Sequence, residues 1–539
     1  MNSRARLAAA VFVLAVLPRL SSPAMAADIT ANPSNYRTVL RSLKPGDSMV
    51  LSPGEYKPLY LSDLNGTPEA WITIKGPAVG APAIIVGESG SNTVEIVNSS
   101  YLAIENLRID SQGIPGAFGI SAKGRNLNRT HDVRIEGNSL VGQNGNQQTD
   151  GISTKIPTWG WTIRRNQIIG AGTGIYLGDS DGTQPFVNGL IENNLVAYSI
   201  GYNLEIKDQI SLPTITGMPL LSTSTIIRNN VFIKDDKPSP DGDRPNVLVG
   251  AFPGSGLGSN NLYEIYGNFF FHNPREALFQ GSGRLSLHDN IFVDGPVGYS
   301  AIVLRKQNFP LKLAFVYNNT IYTSGRGIYF GTLAVSQDAV MGNLIFASDA
   351  IAGPIGRLSN NLVASVASAA QYVSSPSFDL GAMNFYPRAG KCKGPPIDLT
   401  LFHTDTDYNL DFNGHSKGQA TRGGVFRGAY AGAGLNPGWR LQAGIKSSTV
   451  HPSESRLSRP PVNDRPETRS LDVRSATGTY KTISSLSLKD YRLGSTSGGC
   501  CAWTADAYAP GLLLWRSATG AEPASAQRCD CSTVARASE

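Results

Sequence analysis

At 539 residues, 41% of them hydrophobic, the chain is long enough to bury a large core, and its 58 glycines and 33 prolines favour many tight turns over many helices. The net charge of +6 mildly favours an acidic polymer as partner, although a modest positive balance can also serve solubility alone. There is no concentrated Lys/Arg block, which argues against a nucleic-acid-binding protein.

Residues 1–27 have the three parts of a secretory signal peptide. Arg4 and Arg6 form a basic start, residues 7–17 form an apolar core, and Ala24-Met25-Ala26 is a small-x-small cleavage site. The apolar run is too short to span a bilayer comfortably, and no later stretch approaches eighteen apolar residues. We therefore expect a soluble exported protein, secreted or periplasmic, with an uncleaved anchor as the alternative.

Residues 33–42 form the first predicted element of the mature chain. They indicate a small helix that ends at a Pro-Gly turn, and four short apolar strands follow it. A helix at this point can cap the open end of a stacked structure, which would otherwise expose strand edges and an apolar core.

Ten units then repeat along the chain, each with apolar residues on both sides of an Asn. A repeat of 18 to 38 residues built from short strands predicts a solenoid in which each turn stacks on its neighbours. Asn suits a left-handed corner between strands, and stacked Asn side chains can form a ladder. The alternative, turns in a β-sandwich, accounts for only about seven short strands. The aligned residues are Asn106, Asn138, Asn166, Asn194, Asn230, Asn268, Asn290, Asn319, Asn343 and Asn361.

A second family of strands runs beside the Asn units. Each member begins near a Gly or a polar residue and places two apolar residues inward with one outward residue between them. The predicted inward column is Ile120, Ile152, Ile175, Tyr202, Val247, Ala277, Ile302 and Ile328.

Together these patterns resemble the right-handed parallel β-helix of the pectate-lyase-like superfamily of secreted bacterial proteins. The resemblance covers residues 28–434 and implies an all-β solenoid with a short N-terminal capping helix. Residues 407–432 resemble the closing segment that often follows such a solenoid. We therefore predict one β-helix domain over residues 28–446, acting as a monomer.

The repeat stops after Lys446, and residues 447–539 are rich in Ser, Arg, Ala and Thr. We predict a disordered tail there. It contains Cys500, Cys501, Cys529 and Cys531, whose spacing is not a zinc signature and which can pair as disulfides in an oxidising compartment in three ways. Cys392 precedes the tail and is predicted to be a lone structural thiol.

The outward positions of the second strand family are where a polymer would bind. Stacked strands lie about 4.8 Å apart, so each turn can supply one contact to an extended chain. The long connections 208–225 and 234–246 would build a cleft over these strands. His272 is a further binding candidate in a nearby connection, with a simple turn residue as its alternative. The predicted outward substrate-binding residues are Lys155, Tyr176, Asn203, Gln280 and Arg305.

The strand from Asn203 to Lys207 resembles the Glu-and-Lys strand of the chondroitinase B and alginate lyase type of β-helix enzyme. By that resemblance Lys207 is the base, Glu205 holds a calcium ion that neutralises the uronate, and an Arg assists as acid. Arg244 is the first choice for the Arg, because Arg228 falls in an Asn unit and hence on another face. Asp179 and Asp181 are the further carboxylates assigned to the calcium site.

These residues predict a lyase that cleaves an acidic, uronate-containing polysaccharide by β-elimination, with calcium as the one expected cofactor. Two alternatives stay open. Asp150 with Asp179 and Asp181 could be the paired carboxylates of a glycoside hydrolase, or an epimerase could use the same fold, although such Asp residues also suit turns. If Glu205 and Lys207 form only a solvated ion pair, the protein is a non-catalytic carbohydrate-binding or surface protein.

Overall fold

The structure is a computed structural model that describes residues 27–124, 130–295, 299–417 and 424–447, together with four later strands. The predicted signal peptide, except Ala27, and most of the predicted tail with its four cysteines lie outside the described residues. The chain divides into two compact units, Met1–Glu454 and Ser455–Glu539. In the second unit, Leu471–Arg474 pairs with Tyr480–Ile483 and Trp503–Ala507 with Leu513–Ser517, both antiparallel.

The first unit is a right-handed parallel β-helix, as the sequence predicts. Each coil of the chain visits three sheets in turn, and every strand pair within these sheets is parallel. Apolar side chains from all three sheets fill the interior as one core. The fold class and the all-β assignment are therefore confirmed.

The first sheet has fifteen strands, and the Asn units begin in it. Its strands are Asp28–Ala31, Ser48–Leu51, Ile72–Lys75, Ser100–Glu105, Thr130–Glu136, Thr158–Trp159, Thr162–Arg164, Phe186–Val187, Leu190–Glu192, Ser224–Arg228, Leu262–Tyr266, Arg284–His288, Leu313–Tyr317, Gln337–Met341 and Leu358–Ser359.

The second sheet has twelve strands, each following a first-sheet strand after a sharp corner. Its strands are Gly54–Tyr56, Ala83–Val86, Arg108–Asp110, Ser139–Val141, Gln167–Ile169, Leu195–Ala197, Val231–Ile233, Phe269–Phe271, Ile291–Asp294, Thr320–Thr323, Leu344–Phe346 and Leu362–Ala364.

The third sheet has eleven strands and carries the candidate site. Its strands are Leu59–Ser62, Val94–Val97, Ile120–Ala122, Asp150–Thr154, Thr173–Leu177, Leu204–Ile206, Val247–Val249, Phe279–Gly281, Ile302–Leu304, Arg326–Phe330 and Asp349–Ala352.

Few helices accompany the sheets. The predicted N-terminal helix is present as Tyr36–Leu40, and two short 3-10 helices cover Val366–Gln371 and Thr400–Phe402. Two antiparallel pairs, Val373–Ser375 with Asn384–Pro387 and Lys393–Gly394 with Val425–Phe426, belong to the segment after the last coil. Within the described residues, no helix has both the length and the apolar content to cross a membrane.

The predicted Asn ladder runs along the corner between the first and second sheets. From Asn138 to Asn361, each side-chain Nδ2 donates to the Oδ1 of the next Asn at 2.9 to 3.1 Å. The left-handed residue is the one before the ladder position, as at Asn193 with φ 53°. Asn106 has φ 55° and occupies that earlier position, and the N–H of Leu107 donates to Asn138 instead. The sequence alignment was therefore one residue off at Asn106.

The third-sheet register corrects the predicted inward column at two coils. Leu204 pairs with Ile175 and Val247, and Phe279 pairs with Val247 and Ile302. Tyr202 and Ala277 therefore lie two residues before the strand positions assigned to them. A two-residue slip keeps the alternation of faces, so Glu205 and Lys207 stay outward.

Candidate functional site

The outward face of the third sheet brings the charged residues of separate coils into one row. We call the residues that follow its strands the cation row, because Lys and Arg occupy four of its eight positions. The N–H groups of this row continue the strand register by donating to main-chain carbonyls of the previous coil, except that the N–H of Gly178 donates to Oγ1 of Thr154. At about 4.8 Å per rung, the row from its first Lys to its Arg spans about 29 Å. It consists of Lys123, Lys155, Gly178, Lys207, Gly250, Ser282, Arg305 and Gly331.

Small residues separate the cations and leave space beside them. Gly178 adopts φ 94°, and a Cβ there would lie 3.2 Å from the Cβ of Lys207. A side chain at Gly178 would therefore be strained and would crowd Lys207. Glycine at this rung keeps the ammonium of Lys207 open on one side, and about a quarter of that side chain is exposed.

Tyr176 is the centre of the site. Its ring lies 3.4 Å from the Nζ of Lys155 and 5.7 Å from the Nζ of Lys207, measured to the ring centroid. Both ammonium groups therefore interact with one aromatic ring. The hydroxyl of Tyr176 is hydrogen-bonded to Ser180 at 2.9 Å, and burial raises the pKa of that hydroxyl.

Each lysine is also paired with a buried carboxyl group. The Nζ of Lys207 donates to Oε1 of Glu205 at 2.9 Å, and the Nζ of Lys155 lies 3.4 Å from Oδ2 of Asp150. Asp150 and Glu205 are 2% and 4% exposed, so both carboxyls are removed from water while both ammoniums remain reachable. The two ammonium groups of the site are therefore accessible to solvent, whereas the carboxyl groups that pair with them are buried.

Burial raises the pKa of both carboxyls. The pKa of Asp150 rises to about 7, mainly through desolvation, against the opposing effect of Lys155 and with an added contribution from the charge of Glu205. Desolvation also raises the pKa of Glu205, while Lys207, Arg244 and Lys155 oppose the rise. A carboxyl group with a pKa of about 7, as at Asp150, is suited to proton transfer near neutral pH.

Arg244 extends the site from the predicted long connection. Its guanidinium donates to the carbonyls of Asp241 and Asp243 and lies 5.7 Å from the ring centroid of Tyr202. The carbonyl of Arg244 accepts hydrogen bonds from Lys234 and Asn273, which fix the backbone of this connection. Arg244 acts on Glu205 electrostatically, and the described residues include no direct ion pair between them.

The predicted calcium ligands do not fit a cation site. Oδ1 of Asp179 accepts from the Ser180 N–H, and exposed Asp181 accepts from the N–H and hydroxyl of Thr183, which are turn contacts. Glu205 is bonded to Lys207 rather than directed at these aspartates. Within the described residues, no group of three or more His, Cys, Asp and Glu side chains could hold a metal ion.

One predicted binding residue is not available to a polymer. Asn203 is fully buried and its Nδ2 donates to the carbonyl of Ile233, and in the register Glu205, not Asn203, pairs with Tyr176, so Asn203 lies two residues before the position assigned to it. This corrects its assignment to the outward column.

The remaining predicted binding residues lie away from the Tyr176 centre. Gln280 pairs with Val303 farther along the third sheet, and exposed Arg305 lies 3.4 Å from its Oε1. His272 lies at the corner after the second sheet, with φ 58° and its Nε2 3.0 Å from Asp236. Among the described residues, no contact joins His272 to Lys207 or Glu205. Arg228 lies buried on the first sheet, as expected.

Sequence reasoning missed two residues of this centre. Tyr202 was placed in the core, but it lies under Arg244, and its hydroxyl pKa is raised by burial. Asp150 was grouped with Asp179 and Asp181, whereas its neighbours are Lys155 and Glu205. Aligning Leu204 with Ile175 would have revealed the shift of Tyr202.

Comparison with known proteins finds similarity only among solved structures. No protein-family model matches the chain. No curated protein sequence matches it either.

Three of the similar solved structures are carbohydrate-active enzymes. The alginate lyase from Paenibacillus sp. str. FPU-7 has 16% identity and a TM-score of 0.37, covering 63% of this chain and 99% of that one. The GH136 lacto-N-biosidase from Eubacterium ramulus has 12% identity and a TM-score of 0.39, covering 61% of this chain and 64% of that one. Pectate lyase Pel9A has 12% identity and a TM-score of 0.40, covering 76% of this chain and 96% of that one. Likenesses this distant carry no argument about activity.

Proposed function

We propose that this protein binds an acidic, uronate-containing polysaccharide along the third sheet and cleaves it by β-elimination. One observation carries the proposal: Lys155 and Lys207 flank the Tyr176 ring, and each has a buried carboxyl group behind it. This arrangement combines an aromatic surface for a sugar, positive charge for its carboxylate, and groups that can exchange protons.

The cation row supports binding of an extended acidic chain. Its Lys and Arg side chains recur over about 29 Å, and glycine or serine between them leaves room for a polymer to approach. A neutral polymer would gain little from such a row. We therefore expect acidic polysaccharides to bind and neutral ones not to bind.

Lys207 is assigned as the base that removes the proton next to the uronate carboxylate. That proton becomes acidic when the charge of the carboxylate is offset, and Lys155 and Arg244 supply positive charge for this purpose. The ammonium of Lys207 first passes its proton to Glu205, whose carboxyl has a raised pKa. The neutral amine then takes the proton from C5 of the sugar.

The remaining electrons form the double bond of the product. As the C5–H bond breaks, a C4–C5 double bond forms and the C4–O bond of the glycosidic link breaks. Arg244 stabilises the negative charge that develops on the departing oxygen. Tyr202 lies under Arg244 with its hydroxyl protonated, and this hydroxyl supplies the proton that the oxygen takes up. A calcium ion is not assigned a step, because the predicted ligands do not fit one.

The test is ultraviolet absorbance during incubation with alginate, polygalacturonate and chondroitin, with cellulose oligomers as neutral control. Elimination creates an absorbing unsaturated uronide, whereas hydrolysis does not. We expect absorbance to rise with at least one uronate polymer, and Lys207→Ala to lower the rate about 100-fold or more. The matched control is Lys57→Ala. Lys57 forms an exposed ion pair with Glu88, with 3.0 Å between Nζ and Oε1, and both residues are distant in sequence from Lys207.

A glycoside hydrolase is the second candidate, favoured by Asp150 and Glu205. These are two buried carboxyls, and desolvation, with a smaller contribution from the charge of Glu205, raises the pKa of Asp150 into the range of a general acid. New reducing ends without ultraviolet absorbance would select hydrolysis over elimination. Binding of acidic polymer with neither product would instead select a carbohydrate-binding protein.

A further inference from the structure

A cationic cavity, separate from the Tyr176 centre, opens where the chain passes from the third sheet back to the first. It has a volume of about 100 Å³ and lies between the 252–259 and 309–312 connections. Aromatic and proline side chains form its walls, and two cations line it. Its main lining residues are Phe252, Pro253, Arg284, Phe309, Pro310 and Lys312.

Arg284, a partly buried arginine at the wall of this cavity, lacks an acidic partner among the described residues. Its Nε is buried without a hydrogen-bond partner among the described residues, and no carboxylate there lies within ion-pair distance of its guanidinium. Burial lowers its pKa, and no neighbouring acid opposes that effect. Charged groups that are partly removed from water usually have partners, so a partly buried guanidinium without an acidic partner at a cavity wall indicates a place for an anion.

Lys312 adds a second positive charge with spare hydrogen-bonding capacity. Its Nζ donates to the carbonyl of Ser259 at 3.1 Å, a neutral acceptor. An ammonium carries three donors, so an anion in the cavity can accept from Lys312 without breaking this bond. The cavity therefore presents a planar guanidinium and an ammonium between aromatic walls.

The cavity is linked to the cation row by the chain itself. Arg284 comes two residues after Ser282 of the row, and the 305–312 connection begins at Arg305 of the row. The same connection reaches the candidate site, because Nδ2 of Asn308 donates to Oδ2 of Asp208 at 2.6 Å, directly after Lys207. A polymer lying on the row would therefore pass the mouth of this cavity.

We propose that the cavity holds the carboxylate of a second uronate unit, bound bidentately by Arg284 and by Lys312, with Phe252 and Phe309 against the sugar ring. The identity of the anion rests on the proposed function, but the existence of an anion site does not. The volume suits one carboxylate-bearing group rather than a length of chain. Guanidinium and carboxylate match in shape and charge, which is why arginine is common in such sites.

The test uses sodium galacturonate at constant ionic strength and follows the melting temperature of the full chain, with galactose as neutral control. A ligand that binds the folded state raises the melting temperature by an amount that grows with the logarithm of its concentration divided by its Kd. We expect galacturonate, but not galactose, to stabilise the wild type. Arg284→Gln should weaken the apparent affinity for galacturonate at least tenfold. The affinity of Arg284→Lys should lie between those of the wild type and Arg284→Gln.

Arg326→Gln is the matched control, because Arg326 forms a surface pair with Asp349 and should change the affinity less than twofold. If Arg284→Gln does not fold, as judged by circular dichroism, Lys312→Gln and Arg284→Lys carry the test. Equal stabilisation of Arg284→Gln and the wild type by galacturonate would overturn the inference, and so would equal stabilisation of the wild type by galactose.

The two proposals fail in different ways. Loss of the galacturonate effect in Arg284→Gln, with no unsaturated product from any uronate polymer, supports the cavity and rejects the lyase. Unsaturated product that depends on Lys207, with no galacturonate effect on the melting temperature, supports the lyase and overturns the cavity.

Discussion

The outward faces of the first and third sheets use ionisable residues in opposite ways. Towards its C-terminal half, the first sheet is covered by the segment after residue 397, and its charged residues are buried with fixed partners. The third sheet keeps its cations within reach of solvent and buries only the carboxyls behind them. The same coil geometry thus gives a structural interface on one face and a candidate site on the other.

On the first sheet, the buried charged residues form a network of ion pairs and hydrogen bonds. Arg228 is 1% exposed, its Nε and a terminal nitrogen each lie 2.8 Å from Glu192, and it also reaches the hydroxyl of Tyr266 and Oδ2 of Asp407. Lys446 donates to the side chain of Asn229 and to two main-chain carbonyls. These contacts attach the closing segment to the middle of the solenoid.

Stacked rings continue the same interface. Tyr266, His288, Tyr317 and Phe402 stack face to face, with successive ring centroids 4.7, 4.8 and 3.9 Å apart. Three of these rings belong to neighbouring first-sheet strands, and Phe402 belongs to the segment after residue 397 that covers them. The comparison teaches that the number of charges does not distinguish a site from an interface. What distinguishes them is whether solvent can reach the charged groups and whether those groups are already fully paired.

The largest expected effect is on the closed network. Arg228→Ala should lower the free energy of unfolding by about 3 to 5 kcal/mol, because it leaves Glu192 and Asp407 buried without their main cation. Urea denaturation followed by circular dichroism measures it. The control is Arg165→Ala, which removes a more exposed pair with Glu136 directly after a first-sheet strand, with an expected loss below about 1 kcal/mol. Equal losses of unfolding free energy in the two variants would show that covering Arg228 with the segment after residue 397 does not contribute to stability.

A smaller effect is expected from Asp150 and depends on pH. Its pKa is about 7 in the folded state and about 3.9 when unfolded, so between these values the folded state binds more protons. The stability that Asp150 contributes is therefore complete below about pH 4 and is lost as the pH rises through 7. Relative to Asp150→Asn, the wild type should lose on the order of 2 to 4 kcal/mol between pH 4 and 8.

Asp181→Asn is the control of opposite sign. Hydrogen bonds from Thr183 lower the pKa of Asp181, so its contribution is present at neutral pH and lost as the pH falls. Urea unfolding of the wild type and Asp150→Asn from pH 4 to 8, and of the wild type and Asp181→Asn from about pH 5 down to about pH 2, compares the slopes. Parallel curves for the wild type and Asp150→Asn would mean that Asp150 does not titrate in this window.

The fold was predictable because its signals repeat. The corner asparagines and the alternation of apolar residues each occur many times, so an error at Asn106 or Tyr202 does not change the architecture. The site was less predictable because each of its residues occurs once. The position of Tyr202 depended on a two-residue register choice that alternation alone cannot decide, since both choices keep the same faces.

Long connections limited the prediction further. Arg244 lies in the 234–246 connection, and its backbone is held by hydrogen bonds from Lys234 in the same connection and from Asn273, which belongs to the next coil. The unpaired state of Arg284 is also invisible in the sequence, because it depends on which acids fold near it. Pairings between coils become known only when the register and the loop paths are known.

The smallest expected effect on stability is also the sharpest test of the comparison. Lys207→Ala should lower the free energy of unfolding by about 1 kcal/mol or less, because Lys207 is partly exposed and Glu205, whose pKa is already raised, can take up a proton when its partner is removed. Lys57→Ala, which breaks the exposed pair with Glu88, should cost a similar amount. The two variants should therefore have matching urea midpoints, whereas only Lys207→Ala should lose the formation of unsaturated product. A loss of stability at Lys207 as large as that at Arg228 would mean that the third-sheet pair holds the fold together like the first-sheet network, and Lys207 would then no longer be a candidate for the base.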